Sequence, residues 1–411
     1  MLDIDSTSRP AAVVDAASVD EVRAAIASAR DRGLRVAVQA TGHGSSALGP
    51  LDRALSLRTA GLLGLSVDPA ARIARVAAGH VWRDVAAAVD AHRLVAVAPA
   101  HPGVGVAGAI LGGGIGWLAR RHGLAATWVD AVELVASDGR LVRADRERER
   151  DLFWALRGGG GGLGVVTAVE LRLLALDGLH AGALSWPATR AAEVLHAWAR
   201  WIATAPDELT SMARLRRAGA TTEVVVEAAF AGDAEAADGA LAALRALDPD
   251  VDTFAAVSAV GLGALHDVPP PRLLRHCEHL LLDELPPEAI DALLEAAGAA
   301  AGFPFDDVEL RHFGGALCRP SPDAGALASL DAEVAVTALA PPGADNAAEE
   351  LLDALLPWRL GHCHGGFHTR PVPLCQMFTA DAVRRLRAVK ALHDPEDLFV
   401  GPSSDVPDHA G

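Results

Sequence analysis

Glycine is concentrated in two stretches of the first half of the chain, and these stretches constrain the fold more than any other feature. HPGVGVAGAILGGGIGWLARRHGL covers residues 101 to 124, and RGGGGGLGVVTAVELRLL covers residues 157 to 174. Because each glycine costs conformational entropy on folding, such clusters suit places where a turn is tight or where another group must approach the backbone closely. Gly112, Gly113, Gly114 and Gly116 are compatible with either a tight strand-to-helix crossing or a binding loop.

A third glycine-containing loop carries a histidine. Thr41-Gly42-His43-Gly44-Ser45-Ser46 directly follows a predicted strand at 36 to 38. Its consecutive backbone N–H groups and its hydroxyls predict a nest for a pyrophosphate. Gly103-Val104-Gly105-Val106-Ala107-Gly108 also fits the Rossmann pattern G-x-G-x-x-G, but no β-α-β unit leads into it.

The composition excludes several classes of protein. At 411 residues and 51% hydrophobic the chain can bury a sizeable core, and its net charge of −17 argues against nucleic acid or an anionic membrane as a partner. The first ten residues show no basic region followed by an apolar one, so we expect a soluble, cytoplasmic protein. Four cysteines are too few for a disulfide scaffold. With 16 histidines and no tyrosine, acid–base chemistry falls to histidines and carboxylates.

Hydrophobic periodicity predicts the order of the main elements. Val22, Ala25, Ile26 and Ala29 mark one face of a helix that Gly33 ends. Asp138-Gly139, between two apolar runs at 134 to 144, predicts a hairpin. Beyond residue 176, helices predicted at 189–203, 233–246 and 287–300 alternate with strands predicted at 223–230 and 332–338, and a last helix is predicted at 380–392. This alternation predicts an α+β layer of helices over an antiparallel sheet.

Five segments together resemble the FAD-linked oxidases of the vanillyl-alcohol oxidase superfamily, specifically the berberine-bridge-enzyme-like branch. They are VAVQATGHGSS (36–46), PAHPGVGVAGAILGGGIGWLARRHGL (99–124), the hairpin at 134–144, LFWALRGGGGGLGVVTAV (152–169) and VKALHDPEDLFV (389–400). The resemblance covers essentially the whole chain and implies a two-domain α+β fold of the PCMH type. It implies an FAD-binding domain at residues 1–176, a substrate domain of antiparallel sheet and helices at 177–375, and a C-terminal segment at 376–411 that returns to the FAD-binding domain.

The resemblance also implies which residues hold the cofactor. His43 stands where the family attaches its flavin covalently, although a histidine that merely caps a turn is the alternative. Many relatives make a second link through a cysteine, and this chain has His101 there, which implies attachment through His43 alone. Gly112 to Gly116 are expected to start a helix beneath the flavin ring. The implied cofactor-binding residues are Thr41, Gly42, His43, Gly44, Ser45, Ser46, His101, Gly103, Val104, Gly105, Gly108, Gly112, Gly113, Gly116, Gly158, Gly164 and Val166.

Two departures from the family pattern concern the cofactor. The usual Gly-Asn-Phe-Gly reads Gly161-Gly162-Leu163-Gly164, and the tail that commonly carries asparagines reads Gly401-Pro402-Ser403-Ser404. Part of the usual polar contact with the flavin is therefore expected to be missing.

The catalytic group is expected on strands of the substrate domain. Residues 311–319 resemble a strand on which plant relatives carry a glutamate where this chain has Arg319, which could clamp an anionic oxygen or stabilise a reduced, anionic flavin. Residues 361–368 lie where relatives place a tyrosine-containing strand. His364 or His368 is therefore the predicted base, and solvated loop histidines are the alternative.

Neighbouring histidines and cysteines invite a zinc interpretation. The spacing of His362, Cys363, His364, His368 and Cys375 matches no standard ligand set, so no metal site is predicted. His276-Cys277-Glu278-His279 is predicted to be a partly buried strand or helix edge.

These observations predict an FAD-dependent oxidoreductase, an oxidase or a dehydrogenase, that transfers a hydride from a small organic substrate to flavin N5. A secondary metabolite or an alcohol would suit such chemistry. A flavoprotein of the same fold that catalyses a non-oxidative cyclisation or elimination is one alternative, and a non-catalytic FAD-binding protein is another. The sequence leaves open the substrate, the electron acceptor and the oligomeric state.

Overall fold

The N-terminal part of the molecule begins with a small parallel sheet. The computed structural model describes residues 9–219, 221–266, 276–298, 302–341, 343–368 and 371–401. Its first elements are β1 (Ala12–Asp15), α1 (Val19–Asp31), β2 (Arg35–Gln39) and β3 (Ala54–Arg58), and the strands pair in the order β1-β3-β2. Helix α1 buries Val22, Ala25, Ile26 and Ala29, which confirms the predicted helix face.

An antiparallel sheet follows in the chain and pairs in the order β4-β5-β9-β7-β8, with β6 paired to β9. Gly139, at φ +83°, turns between β7 and β8, which confirms the predicted hairpin. The expectation that Gly112 to Gly116 start a helix is wrong, because the helix α3 ends at Leu111 and Gly112 caps its C-terminus. The elements are β4 (Leu65–Asp68), β5 (Ile73–Ala77), α2 (Trp82–Asp90), β6 (Leu94–Ala96), α3 (Val106–Leu111), α4 (Ala119–His122), β7 (Val129–Val135), β8 (Leu141–Asp145), α5 (Arg150–Leu156) and β9 (Val165–Ala175).

The rest of the chain builds a large antiparallel sheet in the order β13-β10-β12-β11-β16-β17-β15, with β14 paired to β10. Helices lie between the strands in sequence, so the predicted α+β arrangement is confirmed. The elements are β10 (Leu179–Pro187), α6 (Ala191–Ile202), β11 (Leu209–Ala218), β12 (Thr221–Ala231), α7 (Ala234–Arg245), β13 (Val251–Asp252), β14 (Ala255–Ala256), α8 (Ala259–Ala264), β15 (His276–Leu282), α9 (Pro287–Ala297), β16 (Asp307–His312), β17 (Val334–Ala340), α10 (Asp345–Ala354), α11 (Leu374–Met377) and α12 (Ala380–His393).

The two faces of the large sheet differ in character. Helices α6, α7, α9 and α10 lie on one face, and the side chains between them form an apolar core that includes Trp186, Trp198 and Phe305. Side chains alternate between faces along each strand, so the residues between these apolar positions point to the opposite face. That opposite face carries buried charges, among them Arg214 and Glu309.

The end of the described chain returns to the N-terminal sheets. The segment at 398–400 pairs with β2 through two backbone hydrogen bonds. The N–H of Val36 donates to the carbonyl of Leu398, and the N–H of Val400 donates to the carbonyl of Val36. On α12, Arg385 forms an ion pair with Asp151 of α5 at 2.6 Å. The predicted domain boundaries at 176 and 375 stay predictions. The predicted departure at Pro402-Ser403-Ser404 lies outside the described residues.

Candidate cofactor and substrate site

The loop after β2 places His43 opposite a second histidine. The Oγ1 atom of Thr41 lies 2.9 Å from Nδ1 of His43, and the rings of His43 and His101 lie 5.6 Å apart. Although His43 keeps an exposed surface, desolvation by the atoms around its ring, followed by the charge of His101, lowers its pKa to about 4. The imidazole of His43 is therefore neutral at neutral pH and keeps a nitrogen lone pair available for bonding.

Only part of the predicted pyrophosphate nest faces outward. Both the backbone N–H and the hydroxyl of Ser45 donate to the carbonyl of Gly42, at 3.1 and 2.7 Å. Ser45 therefore stabilises its own turn, whereas the sequence predicted that it would bind a ligand. Gly42 has φ +90°, a conformation that favours glycine and that keeps the turn tight around His43.

The glycines of the 101–116 stretch divide into two groups by what surrounds them. A Cβ atom added at Gly108 would meet no atom within 4 Å, and the same holds for Gly44, so each borders open space. A Cβ atom at Gly116 would lie 1.8 Å from the Ala98 carbonyl oxygen, and one at Gly113 would lie 2.8 Å from Leu327. Close packing of the protein accounts for the second group without a ligand.

The second glycine stretch is also packed against protein. A Cβ atom at Gly158 would lie 2.7 Å from Leu327, and one at Gly164 would lie 2.7 Å from Leu134. Val166 is buried in the core around β9. Their predicted contact with the cofactor stays a prediction, and packing already explains these residue types.

The face of the large sheet opposite its helices carries a row of polar side chains. In the strand register, Arg214 lies opposite Glu309, Glu309 lies opposite Thr337, and Thr337 lies opposite His279. Arg214 and Glu309 are 2% and 4% exposed. Because a buried charge is costly unless it is paired, each of these groups needs a partner of opposite charge.

His266, just after α8, supplies one of these partners. Its Nδ1 atom lies 2.9 Å from Glu227, and its Nε2 atom lies 3.4 Å from Glu309. The His266 ring also lies 6.4 Å from the ring of His101 and 6.4 Å from that of Trp117. This contact places the buried charges of the sheet beside the loop that carries His101.

Comparison with known proteins identifies the N-terminal part of the chain. Residues 10–145 match the family described as an FAD binding domain. Over this range the chain is similar to that family. The match agrees with the resemblance to FAD-linked oxidases, which is confirmed.

A curated relative and two solved structures extend this comparison. The xylooligosaccharide oxidase of Thermothelomyces thermophilus is 29% identical over 247 residues, which are 58% of this chain and 49% of that protein, so the chain spans about half the length of that relative. The structure of 6-hydroxy-D-nicotine oxidase from Arthrobacter nicotinovorans has a TM-score of 0.85 at 24% identity and covers 97% of this chain and 92% of its own. A variant of berberine bridge enzyme has a TM-score of 0.83 at 20% identity, with coverages of 97% and 90%. The chain has the two-domain PCMH-type FAD-binding fold of these structures.

Two buried side chains of the N-terminal part have polar atoms that would suit a bound FAD. Gln39 is the last residue of β2 and is 5% exposed, and within the described residues neither amide atom has a hydrogen-bond partner. The indole Nε1 of Trp117 is likewise buried without a partner in that part of the chain. Buried polar groups are nearly always paired, so these three atoms are available to bind a ligand such as FAD. Sequence reasoning missed Gln39, although the alternation Ala37, Gln39 puts a polar side chain at an inward position.

The segment at 361–368 joins the polar face of the sheet to the FAD binding domain. It was expected to be a strand, and this is wrong, because Gly365–Phe367 form a 3-10 turn. The Nδ1 atom of His364 accepts a hydrogen bond from the Gly366 N–H at 3.2 Å, so its Nε2–H donates to the carbonyl of Gly112 at 3.0 Å. Burial lowers the pKa of His364 to about 4. Both ring nitrogens of this predicted base are therefore occupied.

His368 lies deeper against the sheet. Its Nδ1 atom is 3.9 Å from a carboxylate oxygen of Glu278, and its ring is 5.7 Å from the ring of His279. Phe367 packs between His279, at 5.1 Å, and the guanidinium of Arg311, at 4.9 Å. The histidines of this turn are thus buried, which contradicts the alternative of solvated loop histidines.

Arg319 does not lie on a strand, contrary to the expectation. The strand β16 ends at His312, a 3-10 turn covers Gly315–Leu317, and the Arg319 side chain is 63% exposed and paired with Asp207 at 2.5 Å. It borders a cleft of about 170 Å³ that His122 and Trp128 also line. A catalytic role for Arg319 stays a prediction, and these surroundings do not favour it.

Two further expectations concern metals and membranes. Within the described ranges, no group of three or more His, Cys, Asp or Glu side chains is arranged to hold a metal ion. In the same residues, no helix has both the length and the apolar character to span a bilayer. The segment around Cys277 is the strand β15, as predicted.

Proposed function

We propose that the chain is an FAD-dependent oxidoreductase whose flavin is attached to His43 and which oxidises a small organic substrate. The single observation that carries the proposal is the placement of a neutral His43 beside the open space at Gly44 and 5.6 Å from the ring of His101. These residues lie within the range that matches an FAD binding domain, residues 10–145. Bound FAD would supply the hydride acceptor, and the chain would supply attachment, orientation and proton transfer.

Attachment through one residue follows from the two facing histidines. A covalent bond to the flavin requires an unprotonated ring nitrogen, and the low pKa of His43 provides one. His101 holds a turn instead, because its Nδ1 atom accepts a hydrogen bond from the Gly103 N–H at 3.0 Å. We propose that His43 alone carries the flavin.

For the proton we propose His368 as the base. A protonated His368 would be stabilised by Glu278, whose carboxylate lies 3.9 Å away, whereas a protonated His364 would lose its bond from Gly366. Suitable substrates carry an O–H or N–H next to the C–H bond that is broken. An oligosaccharide, which names one of the similar proteins, meets this requirement through a carbon that carries both a hydrogen and a hydroxyl group.

The test begins with the absorbance of the purified protein before and after acid precipitation. We expect yellow colour to stay with the precipitated wild-type chain and to leave that of His43→Ala, with His92→Ala, an exposed histidine after α2, as the control. Colour that separates freely from the wild-type chain would overturn attachment through His43.

Hydride transfer is tested by adding candidate substrates without oxygen. Loss of the visible flavin absorbance supports oxidoreductase activity. Product without such loss would instead favour the cyclisation or elimination, and a flavin that responds to no amine or sugar tested would favour a non-catalytic FAD-binding protein.

A further inference from the structure

The geometry points to His266 as a positioning residue whose fixed positive charge balances the buried carboxylates of the sheet and so sets the electrostatic potential of the flavin cleft. This inference rests on the proposed function, because it concerns the cleft beside His43. No motif in the sequence marks His266, and neither the FAD binding domain at 10–145 nor the His364 turn contains it.

The contacts of the His266 ring require an imidazolium. Nδ1 lies 2.9 Å from Glu227 of β12, and Nε2 lies 3.4 Å from Glu309 of β16. A neutral imidazole would turn a lone pair toward one of these carboxylates, whereas an imidazolium directs an N–H to each. All three residues are less than 5% exposed, so water screens the contacts little.

The charges around His266 balance only when it is protonated. Arg214 pairs with Glu227 at 2.6 Å and also with Asp307, and Arg311 pairs with Glu309 at 2.6 Å. The cluster thus holds the carboxylates of Glu227, Asp307 and Glu309 against two guanidinium groups, and the imidazolium makes the sum zero.

The pKa directions agree with this balance. Burial by itself lowers the pKa of His266, but the bonds to Glu227 and Glu309 raise it above its ordinary value. Burial raises the pKa of Glu227, and the bonds from His266 and Arg214 lower it below its ordinary value. These directions are those of an ion pair, in which each group favours the charged form of the other.

The position of His266 connects this cluster to the cleft. Its ring lies 6.4 Å from His101, whose ring lies 5.6 Å from His43, the residue we propose to carry the flavin. One unit charge at roughly 10 Å and an effective dielectric constant of about 20 changes the affinity for an anion by about tenfold. The charge of His266 is thus close enough to favour negative charge that arrives in the cleft.

The test uses sulfite, an anion that adds reversibly to oxidised flavins, and follows its Kd through the visible absorbance. His266→Gln leaves the cluster with a net charge of −1, and we expect its Kd to rise about tenfold. Glu309→Gln leaves +1, and we expect its Kd to fall by a similar factor. The double variant is neutral again and should return to within about threefold of the wild type. His196→Gln is the matched control. His196 on α6 also pairs with a carboxylate, that of Asp291 on α9 at 2.9 Å, but it does not belong to the cluster around His266.

A role in packing predicts a different pattern. Single variants that shift the Kd in the same direction, or a double variant weaker than His266→Gln, would overturn the inference. Nitrogen NMR of the histidine rings gives a second measurement that needs no flavin. The signal lost in His266→Gln should show both ring nitrogens protonated at pH 7, and a neutral tautomer would also overturn the inference. A chain that binds no flavin would refute the proposed function, while this spectrum would still decide the charge of His266.

Discussion

The Nε2 atom of His364 lies 3.0 Å from the carbonyl oxygen of Gly112 and donates a hydrogen bond to it. The contact joins a turn that packs on the polar face of the large sheet to the C-terminal end of helix α3 in the FAD binding domain. Because the same ring accepts a bond from Gly366, it holds the two halves of the candidate site in register.

Removing this ring should destabilise the protein. We expect His364→Ala to lower the free energy of unfolding by about 1 to 3 kcal/mol, because the part-buried hydrogen bonds to the Gly112 carbonyl and from the Gly366 N–H are lost. His364→Gln, whose amide can still donate and accept, should recover part of the loss. Chemical denaturation measures both, with His362→Ala in the same loop as the control. Wild-type stability in His364→Ala would contradict this role.

Stability should fall as the pH is lowered from about 6.5 toward 4. Burial lowers the pKa of both His122 and His364 to about 4, so in this interval the unfolded chain binds protons that the folded chain does not. His364 alone would cost about 3 kcal/mol of unfolding free energy once the pH has fallen through this interval. Melting temperatures across this interval check the slope, which His364→Gln should reduce. His266, with its raised pKa, acts in the opposite direction.

Lys390, the single lysine of the chain, should stabilise the C-terminal segment. Its Nζ atom donates to the carbonyls of Gly162 and Phe399 at 2.8 and 2.9 Å and pairs with the buried carboxylate of Asp394 at 2.5 Å. We expect Lys390→Met to cost about 2 to 3 kcal/mol of unfolding free energy, because Asp394 is left buried without its cation.

The control for Lys390 lies on the same helix, α12. Arg384 pairs with Asp381, and both side chains are more than 70% exposed, so Arg384→Met should change stability by less than about 1 kcal/mol. Equal losses in the two variants would show that the Lys390 contacts do not stabilise the segment.

Two glycine variants should separate cofactor binding from folding. Gly108→Ala adds a methyl group that meets no protein atom within 4 Å, so the chain should fold but hold less flavin if FAD occupies that space. Gly116→Ala would place its methyl group 1.8 Å from the Ala98 carbonyl and should cost more than about 2 kcal/mol. Flavin content per folded protein and melting temperature measure the two effects. Full flavin content in Gly108→Ala would place the cofactor elsewhere.

The proposed base should act on rate and leave the flavin in place. We expect His368→Gln to lower the anaerobic rate of flavin reduction by roughly 10² to 10⁴, the usual effect of removing an acid–base group. Flavin content and attachment should stay at the wild-type level, since His43 is unaltered. Unchanged reduction in His368→Gln would remove this histidine from the proposal.

Local features of the fold could be predicted from the sequence, whereas contacts across the large sheet could not. The face of α1 that buries Ile26 follows from spacing within one helix, and the turn at Gly139 follows from two adjacent residues. The cluster around His266 joins residues 227, 266 and 309 from separate elements, and its formation depends on strand register. Periodicity gives the face on which Glu309 lies but not the strand that lies beside it.

The same limit explains the errors at Arg319 and at residues 361–368. Both segments contain glycines and histidines that fit a strand as well as a turn, and the choice depends on where β16 ends and on the space between the sheet and α3. The resemblance to the family led us to expect strands in both segments, whereas both form turns in this chain.

A chain with one lysine offers reagents that attack side-chain amines a single target. That target, Lys390, holds helix α12 against the second glycine stretch, because its Nζ atom donates to the carbonyl of Gly162. Reaction of Lys390 with an amine-reactive resin or an aldehyde would therefore break its contact with Gly162. Immobilisation through the abundant surface carboxylates would leave it intact.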